Sequence, residues 1–73
     1  MKIIHVIYNK LTGQYIINPG KKDRREFESF DHMKKVLVEE NLGRKLKLVT
    51  NLSDEDLEEL RKYLKIAEIK RGK

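Results

Sequence analysis

Residues 2–17 read KIIHVIYNKLTGQYII. Ile3 to Tyr8 are β-branched and aromatic, and Tyr15 to Ile17 repeat that character after NKLTGQ. Asn9 and Thr12 are turn formers, and Gly13 accepts the positive φ that a short connection needs. The stretch predicts a β-hairpin over residues 2–18. Grouping odd residues on one face and even on the other puts Ile4, Val6, Tyr8 and Ile16 on one side. Ile3, His5, Ile7, Tyr15 and Ile17 then make the other. Both faces are apolar, whereas an antiparallel sheet with one wet side alternates. Each side needs cover: either two helices on opposite faces, or two helices on one face and a second copy of the chain on the other. The expected dimer interface is therefore Ile3, His5, Ile7, Tyr15 and Ile17, because a bare apolar patch is uncommon on a monomer.

This segment resembles the first hairpin of ubiquitin, where a Leu-Thr-Gly turn also joins two N-terminal strands. The resemblance covers the hairpin only and implies no function.

Beyond the hairpin, NPG (18–20) ends the second strand, since Pro19 has no N–H for a ladder. A short edge strand is expected around Phe27. Ser29 is a helix N-cap with Asp31 in the first turn. Phe30, Met33, Val36 and Leu37 recur at helical spacing, giving a helix over about 30–42 that Gly43 terminates. RKLKLVT (44–50) alternates as a half-buried strand. Ser53 caps a second helix with Asp56 three residues on, and Leu57, Leu60, Leu64 and Ala67 form its apolar stripe. KIAEIK (65–70) either completes that helix or leaves it as an extended tail. The expected fold class is α+β: one small ββαβα domain over residues 1–73, with both helices packed on a mostly antiparallel sheet.

The chain has 73 residues, no Cys, and a formal net charge of +5 with 40% charged side chains. A chain this short buries only about 60% of its unfolded surface. Without Cys there are no disulfide or thiolate staples, in keeping with a reducing, cytoplasmic setting. MKIIHVIYNK contains His5 and Tyr8 and reads as a strand, not a signal peptide. No run approaches the ~18 apolar residues of a membrane span, so no membrane partner is expected. Abundant Lys, Glu, Arg and Ile lean towards a thermophile, although four Asn residues oppose that.

The positive excess is uneven. Residues 1–26 hold six basic and two acidic side chains, 27–52 five and four, and 53–73 six and six. Lys21, Lys22, Arg24 and Arg25 supply most of the first block, and Arg44, Lys45 and Lys47 form a second group. If the third strand lies near the loop, the two merge into one positive surface. Such a surface attracts DNA or RNA through phosphate contacts and counterion release. A solvated loop is the plainer reading, with Asp23 and Glu26 interrupting the run.

Catalysis finds no support: there is no nucleophile elbow, Gly-rich phosphate loop or HExxH. Asp54, Glu55 and Asp56 sit where a helix N-terminus wants carboxylates. His5 and His32 lack partners at metal-ligand spacing, so neither metal nor cofactor is expected. The reading is a small non-catalytic binding protein contacting nucleic acid. A protein-interaction module acting as a homodimer is the alternative.

Overall fold

A central strand decides the architecture. The computed structural model describes residues 1–72. Its elements are β1 (Lys2–Asn9), β2 (Gln14–Ile17), β3 (Arg25–Phe27), α1 (Phe30–Glu40), β4 (Lys45–Thr50), α2 (Asp54–Arg61) and β5 (Lys65–Arg71). The strands form one mixed sheet in the order β3-β2-β1-β4-β5. β1 pairs antiparallel with β2, and β2 antiparallel with β3. On its other side β1 pairs parallel with β4, and β4 parallel with β5.

The α+β class holds, with the hairpin, the edge strand at Phe27 and both helices. Two features differ from the expected ββαβα domain. KIAEIK does not complete the helix but is extended, and pairs as a fifth strand, so α2 stops at Arg61 and both Leu64 and Ala67 leave its stripe. The last residue of that C-terminal run, Lys73, lies outside the described residues. The sheet is also half parallel, not mostly antiparallel. Both parallel connections need crossovers, which α1 and α2 provide.

β1 to β4 and β4 to β5 step the same way across the sheet. Right-handed crossovers then lay both helices on one face. The packing agrees: Met33 and Leu37 of α1 and Leu57 and Leu60 of α2 join one buried cluster with Ile4, Val6, Ile17, Leu46 and Leu48. Lys34 of α1 donates to Glu59 of α2 at 2.8 Å. Its ammonium also lies 5.9 Å from the Phe30 ring centre and 5.3 Å from that of Tyr63. The helices are capped as their sequences suggest. Ser29 Oγ accepts from His32 N–H, and Ser53 Oγ from Asp56 N–H.

The hairpin register corrects the expected faces. Val6 pairs with Ile17, Ile7 with Ile16 and Tyr8 with Tyr15. Four residues, 10–13, separate the paired Asn9 and Gln14, so partners have opposite parity. Tyr15 and Ile17 therefore share the helix-covered face with Val6 and Tyr8. They do not lie beside Ile3, His5 and Ile7, as the sequence reading had it. Ile16 takes their place on the uncovered face.

Asn18 locks the end of the hairpin. Its φ is +52°, in the left-handed region that Asn tolerates better than most residues. Its backbone N–H donates to His5 O at 2.8 Å, and its Oδ1 accepts from His5 N–H at 3.1 Å. Its Nδ2 donates to Asp23 at 2.9 Å, tying in the following loop. Asn18→Ala loses these side-chain bonds and meets the left-handed penalty, and should lower unfolding free energy in urea by about 1–3 kcal/mol. Asn18→Gly loses the bonds but tolerates the φ, and should fall between Ala and the parent.

Candidate functional site

Strand direction gathers the basic residues. β1, β4 and β5 run parallel, so Lys2, Lys45 and Lys65 all lie at one end of the sheet. β2 runs the other way and finishes there, so the loop carrying Lys21 and Lys22 leaves from the same end. α1 descends to it as well, and Arg44 follows in the turn into β4. β2 and β4 flank β1, about 10 Å apart. The two sequence groups thus reach one end on either side of a single strand. Beside the second group, around Arg44, lies a shallow hollow of about 340 Å³ lined by Met1, Lys2, Arg44 and Lys45.

The seven basic residues singled out in the sequence divide in two. Arg24 is ion-paired with Glu26, Arg25 with Glu40, and Lys47 with Glu68 at 3.7 Å. Arg25 makes a two-pronged contact to both Glu40 oxygens, joining β3 to the end of α1. That hydrogen bond raises the Arg25 pKa and lowers that of Glu40. Such fork-to-carboxylate geometry is a structural clamp. Lys21, Lys22, Arg44 and Lys45 are exposed, and within the described residues they have no ion pair. They are the cations available to a ligand. Lys2 and Lys65 join them by topology, which linear spacing does not reveal. The parallel pairing that brings them there depends on recognising β5 and the β1–β4 neighbourhood.

The opposite end carries the contrary charge. Glu28 and Asp31 lie near the start of α1, and Asp54, Glu55 and Asp56 occupy the first turn of α2. Arg71 of β5 reaches back to Asp54 and to the Leu52 carbonyl. The chain therefore has a basic and an acidic pole, whereas the sequence blocks show only an excess towards the N-terminus. A field of this form orients an approaching polyanion towards the basic pole.

The uncovered sheet face is the other sequence-predicted surface. It presents Ile3, His5, Ile7 and Ile16, with Val49 of β4 aligned beside His5. Ile3 is 52% exposed, while Ile16 is buried by its neighbours. Lys47, Glu68 and Lys70 border this strip on β4 and β5, and Glu26 on β3. Among the described residues no cluster of three His, Asp or Glu side chains is arranged to hold a metal ion. No helix there is long and apolar enough to cross a membrane.

Set against family models, curated proteins and solved structures, the chain matches none.

Two carboxyl groups contribute to the acid response of this framework. Glu40 is held below the usual carboxylate range by its hydrogen bond from Arg25, and Glu59 by those from Lys34 and Lys62. Because the folded values are lowered, their contribution is complete above the unfolded carboxylate range. It is lost as pH falls through the folded values. The double variant Glu40→Gln, Glu59→Gln should flatten the acid limb of a Tm-against-pH profile and change Tm little when the two proteins are compared at still lower pH.

Proposed function

We propose that this protein binds nucleic acid through its basic pole, contacting phosphates without reading bases. The observation that carries the reading is the convergence of Lys21 and Lys22 with Arg44 and Lys45 at one end of the sheet. All four are exposed and uncommitted. Phosphate contacts release condensed counterions, so affinity follows the number of cations engaged and falls with salt. The uncovered face has no Phe, Tyr or Trp among Ile3, His5, Ile7, Ile16 and Val49, and the His5 imidazole alone is a small stacking platform, which argues for backbone contact over base stacking. The protein supplies no chemistry in this reading; it holds or delivers a strand.

Four engaged cations imply that affinity for a short DNA or RNA duplex falls on the order of 100-fold between about 50 and 200 mM salt. Replacing Lys21, Lys22, Arg44 and Lys45 by Gln should remove most binding and most of the salt slope. Arg24→Ala with Arg25→Ala should weaken binding less, because Glu26 and Glu40 already hold those guanidinium groups. A parent protein that shifts neither DNA nor RNA at low ionic strength ends this reading.

A second reading rests on the open face. Placed face to face about a twofold axis parallel to the strands, two copies set β3 of one against β5 of the other. Glu26 then lies towards Lys70, and the Ile3, Ile7, Ile16 and Val49 strips cover each other. In this arrangement the chain is a homodimeric interaction module. It requires a dimer mass by light scattering at high micromolar concentration, reverting to monomer in Ile7→Lys. A monomer throughout removes it.

A further inference from the structure

The acidic pole holds a second concavity of different chemistry. A crevice of about 460 Å³ opens at the carboxyl ends of β1 and β4, lined by Tyr8, Lys10, Tyr15, Asn51, Leu52, Ser53 and Asp56. β1 and β4 are neighbouring parallel strands, so the crevice sits against the carboxyl ends of both. Its volume is within the range of small-molecule sites.

The walls are tied by ring packing and hydrogen bonds. Tyr8 and Tyr15 pack with ring centres 4.8 Å apart, tilted by 44°, and Phe30 backs Tyr15 at 5.8 Å. The Asn51 amide bridges the strand ends: its Oδ1 accepts from Tyr8 N–H at 2.7 Å and its Nδ2 donates to Tyr8 O at 3.0 Å. Ser53 is occupied as the cap of α2.

The polar groups left over are unspent. Asp56 is the half-buried carboxylate of the first turn, while Asp54 and Glu55 are exposed and Asp54 is engaged by Arg71. Within the described residues, neither the Asp56 carboxylate, the Lys10 ammonium nor the two phenol hydroxyls has a hydrogen-bond or ion-pair partner. Burial raises the Tyr15 pKa, and the nearby Asp56 charge adds to it, so the phenol stays protonated as a donor. Asp56 and the exposed Lys10 put opposite charges on one crevice, which is complementary to a ligand bearing both. A phosphate-bearing ligand meets the acidic turn of α2 and is disfavoured; a plain cation meets Lys10.

We propose that this crevice binds a free α-amino acid as its zwitterion. Its ammonium pairs with Asp56 and its carboxylate with Lys10 at the rim. An apolar or aromatic side chain lies against the Tyr8 and Tyr15 rings. The site is independent of the basic pole and stands or falls apart from it.

Amide chemical shifts of the full chain, followed by NMR, test this with four probes: L-phenylalanine, L-leucine, N-acetyl-L-phenylalanine and L-phenylalanine amide. Saturable shifts confined to residues 8–10, 15 and 51–56 are expected with at least one of the free amino acids. The acetylated and amidated probes each lack one charge and should bind about tenfold more weakly, the scale of one charge-assisted contact. Asp56→Asn, which leaves the Ser53 cap in place, should cost a similar factor, and Lys10→Ala should weaken binding with the fold untouched. The absence of saturable shifts up to tens of millimolar, or equal binding of the acetylated probe, overturns the proposal. So does affinity unchanged in both variants.

Discussion

Both neighbours of β1 are set by one constraint: this strand must run antiparallel to β2 and parallel to β4. A strand paired this way cannot reach its parallel neighbour by a tight turn. The chain must cross over, and it does so twice in the same direction. Two right-handed crossovers in one direction stack both helices on one face and leave the other bare. The same geometry puts the starts of β1, β4 and β5 at a single end. The poles of charge, the hollow around Arg44 and the crevice beside Asp56 all follow from the direction of three strands.

Energetically the molecule is a single layer of apolar contacts pinned at its margins. The core residues Val6, Met33, Leu46, Leu48 and Leu60 have no exposed surface. Each contributes about 1.5–3 kcal/mol by burial, against a conformational cost of comparable total size. Specific polar ties then set the geometry at the periphery. Asn18 fixes where β2 ends, Arg25 joins β3 to α1, Lys34 joins the helices, and Asn51 joins β4 to β1. Individually the two ion pairs among them, Arg25 with Glu40 and Lys34 with Glu59, contribute little. Their value lies in holding the loops that carry the free charges.

Much of the local structure was legible because it depends on local chemistry. The Ser29 and Ser53 caps, the alternation of RKLKLVT and the turn at Gly13 were readable from a few residues each. What was not legible depended on pairing. Hairpin faces follow from loop length, and the four-residue loop moved Tyr15 and Ile17 to the covered side. β5 was obscured by its own irregularity. A register shift between Leu46 and Lys47 leaves Leu46 opposite Ile66 and Lys47 opposite Glu68. Ile66 and Ile69 therefore share a face although three residues apart, the spacing of a helix. The basic residues were visible as types, but which were free was not, since Glu40 and Glu68 lie far from their partners in sequence.

That same irregularity governs how the sheet ends. Edge strands with open hydrogen-bonding groups invite foreign strands to extend them. At one margin β3 is only three residues long. At the other, β5 is displaced by its bulge and carries Lys65, Glu68, Lys70 and Arg71. Neither margin offers a long, flat, uncharged template. A molecule with one bare face is thereby guarded against growing sideways into a fibre.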